Sequence, residues 1–245
     1  MDLAGKAALV TGGGTGIGRA TTLLLAGRGV DVAINYSKSE KEANETAEAV
    51  RQLGRKAVAI KADVAQLDQV ENLVSESVKA LGRLDILINN AGWTEFIDFK
   101  NLDDVTDEVW DRTIGINAKG PFFCTRAAAR HMKEGGVVVN VSSMAATMAR
   151  GSSIPYCASK AALNIVTRAM ARVLAPSIRV NAVAPGAVTT RWMDNRAAFV
   201  RAAEMQTPMR RVATAEDVAQ VILALIADSD FVNGQILGVD GGIGA

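Results

Sequence analysis

The chain holds one histidine, His131, and two cysteines, Cys124 and Cys157, in 245 residues. A zinc site or a histidine-based nucleophilic triad needs more imidazole and thiolate than that, so both classes are excluded at the level of composition. Two cysteines do not build a disulfide framework, and they read as packing residues in a reducing compartment. His131, in Arg130-His131-Met132-Lys133, reads as a helix end, where a cation suits the dipole. No apolar run approaches the ~18 residues of a membrane-spanning helix. The opening Met1-Asp2-Leu3-Ala4-Gly5-Lys6 lacks the basic-then-apolar pattern of a secretory signal, so a cytoplasmic location is expected. An excess of either charge is missing too. Twenty-seven basic residues face 26 acidic ones for a net +1, which gives no reason to expect nucleic acid or an anionic membrane as partner. There is no linker, repeat or low-complexity stretch, so residues 1–245 read as one domain.

Short β-branched runs alternate with longer helical patterns throughout. Strands are expected at Ala7–Thr11, Asp31–Asn35, Ala57–Lys61, Asp85–Asn89, Val137–Ser142, Ile178–Ala184 and Gln235–Val239. Helices fall between them, including a long one over Asp107–Met132, broken near Gly120-Pro121, and one over Pro155–Ala175. Continuous apolar strands separated by helices predict an α/β fold: a single-domain, doubly wound parallel sheet of about seven strands with helices on both faces. Residues 189–213 break the rhythm. This insertion carries Trp192, Met193, Phe199, Met205 and Met209 among arginines, and reads as a lid or as a surface excursion.

Two stretches carry chemistry. Thr11-Gly12-Gly13-Gly14-Thr15-Gly16-Ile17-Gly18 joins the first strand to the first helix, where glycines let backbone N–H groups and a helix N-terminus meet a pyrophosphate. Tyr156-Cys157-Ala158-Ser159-Lys160 puts a phenol and an ammonium one helical turn apart. A nearby ammonium favours the phenolate, so Lys160 is expected to lower the Tyr156 pKa toward a useful acid–base range.

With Asp63-Val64, Asn89-Asn90-Ala91-Gly92, Asn117, Ser142-Ser143 and Pro185-Gly186 in order along the chain, the sequence resembles the short-chain dehydrogenase/reductase family over essentially its whole length. It is most similar to the 3-oxoacyl-(acyl-carrier-protein) reductase type, in Arg179–Gly186, Asn233-Gly234-Gln235 and Val239-Asp240-Gly241-Gly242. The resemblance implies a Rossmann-like fold and an NAD(P)-dependent oxidoreductase that moves hydride between nicotinamide and a carbonyl or secondary alcohol. It implies a catalytic set of Asn117, Ser143, Tyr156 and Lys160, with Asn117 anchoring a water that connects Lys160 to solvent. Gly12, Thr15, Gly16, Ile17 and Gly18 would line the pyrophosphate and ribose. Asp63 and Val64 would meet the adenine, and Asn90, Ala91 and Gly92 the adenine and ribose, while Asn89 ties strands together. Val188 and Thr190, after Pro185-Gly186, would hold the carboxamide, and Tyr156 and Lys160 the nicotinamide ribose.

The second strand ends at Tyr36, Ser37 and Lys38 without a carboxylate, which favours NADP(H) over NAD(H), although Thr15 stands where many NADP users of the family carry a cation. Trp93, Met144, Ser153, Trp192 and Met193 are expected pocket walls, with Ser143 and Tyr156 meeting the substrate. Arg191, Arg196, Arg201, Arg210 and Arg211 either attract an anionic acyl thioester or are solvated charge. The substrate reading is a small carbonyl compound, with a 3-oxoacyl thioester as one form. Alternatives are a dehydrogenase of a sugar, steroid or other cyclic alcohol, and a non-catalytic NADP-sensing regulator. The resemblance also implies a homotetramer, without nucleic acid, membrane or metal.

Overall fold

The computed structural model describes residues 1–132 and 134–244. Seven strands form one parallel sheet in the order β3-β2-β1-β4-β5-β6-β9. They are β1 (Ala7–Val10), β2 (Asp31–Tyr36), β3 (Ala57–Lys61), β4 (Ile86–Asn89), β5 (Gly136–Val141), β6 (Ile178–Pro185) and β9 (Ile236–Val239). A short parallel pair, β7 (Val188–Thr189) with β8 (Ala213–Thr214), ties the two ends of the insertion together.

The period-two pattern explains the layering. Ala8 and Val10 of β1, Ile86 and Ile88 of β4, and Val137 and Val139 of β5 join one buried cluster. Their neighbours Ala7, Leu9, Leu87 and Val138 join another on the opposite face. The first cluster is closed by α1 (Gly16–Gly27), α2 (Glu40–Gln52) and α9 (Ala215–Ala227). The second is closed by α3 (Leu67–Leu81), α5 (Gly120–Ala129) and α7 (Ile154–Leu174). Among the described residues, no helix is long and apolar enough to cross a membrane.

From β1 the chain winds out to β2 and β3, then returns to place β4 on the other side of β1. That reversal opens a crevice beyond the carboxyl ends of β1 and β4, the position that favours ligand binding in open α/β sheets. Thr11 draws the two ends together: its hydroxyl accepts from the backbone N–H groups of Asn90 and Ala91, both at 3.0 Å.

The break in the long helix is not where its proline suggests. α4 (Asp107–Ile114) runs into a π turn at Gly115–Lys119, and α5 starts at Gly120 with Pro121 in its first turn. Proline is tolerated there because its missing N–H would have no partner in the first turn. The five-residue widening, ending just before Gly120, is the actual interruption.

Candidate active site

The placement of α7 begins with its cap. Ser153 precedes the helix in extended backbone and its hydroxyl accepts from the Tyr156 N–H at 3.3 Å, with Pro155 in the first turn. Ser153 is thereby buried and consumed in capping, and it is not among the residues lining the pocket, contrary to the sequence expectation.

A polar seam then fixes the helix against β5. Lys160 Nζ donates to the Val141 carbonyl at 2.7 Å, Ser142 Oγ donates to Asn164 Oδ1 at 2.6 Å, and Asn140 Nδ2 donates to Thr167 Oγ1 at 2.9 Å. Asn89 extends the seam to β4, donating to Asn140 Oδ1 at 2.8 Å and to Thr125 Oγ1 at 3.1 Å. Buried polar groups of this kind are satisfied in only one register, so the seam sets both the height and the rotation of α7. Tyr156 is held next to Ser143 as a result, close enough for the serine hydroxyl to act on the phenol.

The electrostatics depart from the sequence expectation. Burial pushes the Tyr156 phenol up to about 12, and the neighbouring Ser143 hydroxyl only partly offsets it. Burial also pulls the Lys160 ammonium down to about 8. Lys160 Nζ lies 5.8 Å from the Tyr156 ring centroid and gives one hydrogen bond to the Val141 carbonyl, and burial of the phenol outweighs the lowering expected from its charge.

Asn117 sits within the π turn and is fully buried behind the pocket wall. Its side-chain amide accepts from the Trp93 N–H and donates to the Trp93 carbonyl, both at 2.8 Å, and donates to Ser159 Oγ at 3.0 Å. Those bonds clamp Trp93 in place. The side-chain amide is thus tied to Trp93 and Ser159.

At the other end, Gly12 and Gly16 take positive φ values of 61° and 51°. A Cβ on Gly14 would lie 2.8 Å from the backbone of Ala43 in α2. Gly18 plays a packing role: a Cβ there would meet the Gly12 carbonyl at 2.3 Å, and Gly18 does not line the pocket as its neighbours do. The first turn of α1 is open to an anion. Thr15 is extended, its side chain caps no N–H, and no acidic residue follows in that turn.

One cavity of ≈ 760 Å³ joins these two ends. Gly12, Thr15, Gly16 and Ile17 lie along it with Tyr36, Ser37, Asp63, Val64, Asn90, Ala91 and Gly92. Ser143, Tyr156, Lys160, Pro185, Gly186, Val188 and Thr190 lie along it as well. No carboxylate stands at Tyr36, Ser37 or Lys38, so the donor set fits a phosphorylated dinucleotide.

Beyond Tyr156 the walls are Trp93, Met144, Trp192 and Met193, together with Phe96, Met148, Arg150 and Phe199. The last four were not assigned to the pocket from sequence. Phe96 and Arg150 sit in irregular loops outside every motif, and only chain folding brings them to the cavity. Trp192 packs edge-on against Tyr156 at 6.3 Å between ring centroids. The Arg112 guanidinium stacks on Trp93 at 4.7 Å, and that of Arg196 on Phe96 at 3.5 Å.

A family model described as enoyl-(acyl carrier protein) reductase matches residues 12–244. Versicolorin reductase 1 of Dothistroma septosporum is 39% identical over 262 residues, covering 98% of this chain and 96% of that protein. A hydroxynaphthalene reductase-like protein of Metarhizium guizhouense is 40% identical over 261 residues, again 98% and 96%. The crystal structure of a short chain dehydrogenase from Burkholderia cenocepacia J2315 in complex with NADP matches with a TM-score of 0.94 and 39% identity over 100% of both chains. With a parallel sheet wound about a glycine turn and a Tyr156–Ser143–Lys160 cluster at its edge, the chain belongs to the short-chain dehydrogenase/reductase family of oxidoreductases.

Proposed function

We propose that the chain is an NADP(H)-dependent carbonyl reductase acting on a bulky, largely apolar ketone. The observation that carries the reading is one cavity lined by both the glycine turn and Ser143, Tyr156 and Lys160; the buried phenol holds a proton it can donate, and the reductase names of the relatives supply the direction. The bound dinucleotide supplies the hydride. Ser143 donates a hydrogen bond to the substrate oxygen and Tyr156 gives it a proton as charge develops there. Lys160, mostly protonated below pH 8, holds positive charge beneath the phenol and meets the ribose hydroxyls.

The open first turn of α1, with Gly12, Thr15, Gly16 and Ile17, would hold the pyrophosphate. Tyr36 and Ser37 would hold the adenosine ribose and its phosphate, and Asp63, Val64, Asn90, Ala91 and Gly92 the adenine side. Pro185, Gly186, Val188 and Thr190 would seat the nicotinamide. NADP in the B. cenocepacia structure supports the phosphorylated cofactor.

Walls of Trp93, Phe96, Trp192, Phe199 and methionines suit a flat or ring-bearing ketone, as the names of the versicolorin and hydroxynaphthalene relatives suggest for them. A 3-oxoacyl thioester is the second reading, supported by the family description and by Arg150 and Arg191 in the cavity lining, with Arg196 stacked on Phe96 of that lining. Residues 189–213 act in both readings as the lid. The working form is proposed to be a cytoplasmic homotetramer, with exposed Phe122, Ile165 and Val173 on α5 and α7, and Phe231 and Leu237 near β9, at its interfaces.

The test follows NADPH consumption with fused-ring ketones and an acetoacetyl thioester. Tyr156→Phe should abolish turnover while NADPH still binds, and retained turnover would refute the role given to Tyr156. Turnover of the thioester alone would select the second reading.

A further inference from the structure

The insertion reaches back across the nucleotide end of the cavity through one side chain. Arg191 Nη1 donates to Ser39 Oγ at 2.8 Å, a contact between residues 152 positions apart. Arg191 opens the 3₁₀ turn Arg191–Met193, directly after Thr190. The Thr190 methyl lies 3.3 Å from the point where a Cβ on Gly16 would stand, so the chain enters this turn packed against the glycine turn. From there the guanidinium spans to the residue preceding α2.

Ser39 occupies the N-cap position of α2, yet its side chain caps no backbone N–H and receives Arg191 instead. Arg191, Ser39, Lys38, Ser37 and Thr15 all line the same cavity. The glycine turn itself, Gly12 to Gly18, contains no cation. Among the described residues no carboxylate pairs with Arg191, although Glu40 stands nearby beside the Tyr36 phenol. An exposed arginine held by a neutral hydroxyl, on a cavity it shares with Lys38, Ser37 and a glycine turn without a cation, has guanidinium donors left for an anion.

We propose that Arg191 is a specificity-determining residue that binds the 2′-phosphate of NADP(H), and that this contact draws the 189–213 segment closed over the cofactor. The inference rests on the nucleotide reading of the cavity and adds to it a residue from the opposite wall. The phosphate replaces or shares the Ser39 hydroxyl as the partner of Arg191, so NADPH closes the segment and NADH, which ends in a ribose hydroxyl at that point, does not.

Dissociation constants for NADPH, NADH and 2′,5′-ADP are measured by calorimetry on wild type, Arg191→Gln and Arg191→Lys. Trypsin cleavage at the segment's other arginines is followed with each ligand. A charge-assisted hydrogen bond of ordinary strength predicts that Arg191→Gln weakens NADPH and 2′,5′-ADP by about tenfold or more and NADH by less than about twofold. Arg191→Lys should restore most of the preference, and NADPH should protect wild type from trypsin but not Arg191→Gln. Unchanged NADPH affinity in Arg191→Gln would overturn the proposal. Equal weakening of NADPH and NADH would also overturn it, by assigning Arg191 to the pyrophosphate that both share. Wild type binding neither dinucleotide would overturn the nucleotide reading itself.

Discussion

Replacing Lys160 by methionine keeps most of the aliphatic stem and removes the buried ammonium. Lys160 is 3% exposed, and burial brings its pKa from 10.5 to about 8. Below pH 8 the native protein carries a poorly solvated charge. Between about pH 8 and 10.5 it holds fewer protons at this site than the unfolded chain does, so stability rises with pH across that window. Above 10.5 the site is neutral in both states and the penalty is gone. A displacement of that size corresponds to about 3 kcal/mol by linkage.

In Lys160→Met the pH-dependent part is absent. Loss of the bond to the Val141 carbonyl adds a roughly pH-independent cost of about 1–3 kcal/mol. The wild-type-minus-variant difference in unfolding free energy should therefore climb by about 3 kcal/mol from pH 7 to pH 10.5. Cys124, which burial raises to about 12, titrates in both chains and cancels in the difference. Urea unfolding at one protein concentration and a series of pH values measures it. A difference that stays flat with pH would refute the claim that Lys160 sits in the fold as a desolvated cation.

Other perturbations probe separate parts of the site. Asn117→Ala removes the clamp on the Trp93 backbone, so thermal unfolding should fall by about 1–3 kcal/mol and KM for a bulky ketone should rise; unchanged values would show that Trp93 is positioned by other means. Gly14→Ala forces a methyl against the α2 backbone at Ala43, which should destabilise the protein by about 1–3 kcal/mol and weaken dinucleotide binding in calorimetry. Trp192→Ala opens the wall beside Tyr156, so ring-bearing ketones should show a higher KM with dinucleotide affinity unchanged, and an unaltered KM would remove Trp192 from the substrate site.

The sheet was readable from sequence because its central strands are short, apolar runs buried on both faces, alternating with helices as in a parallel sheet covered on both sides. The glycine turn and the Tyr156–Lys160 spacing were readable because each is local: its geometry is set by its own few residues. What lay hidden depends on contacts between distant parts. The kink around Gly115-Ile116-Asn117-Ala118 is expected from the resemblance, but that it takes the form of a π turn over Gly115–Lys119 leaves no local mark. Ser153 looks like a pocket hydroxyl until the helix it caps is in place. Phe96 and Arg150 gain their positions from loops whose course no periodicity encodes. The upward displacement of Tyr156 depends on how much protein surrounds the phenol, and a spacing of four residues says nothing about that.

The seam between α7 and β5 has a consequence for how such a protein can change. Its rungs, Lys160 to Val141, Ser142 to Asn164 and Asn140 to Thr167, lie entirely within the sheet and the helix on it. None of them uses a residue of the 189–213 segment. Tyr156 and Ser143 are thus set by one part of the chain, while Trp192, Met193 and Phe199 are contributed by another. Trp192 packs against Tyr156, so a rewritten second part changes the surroundings of the phenol but not the hydrogen bonds that hold α7 on the sheet. A graft of this segment from a relative should transplant selectivity and leave the proton donor where it stands, making the protein two separable modules in an evolutionary sense although it folds as one.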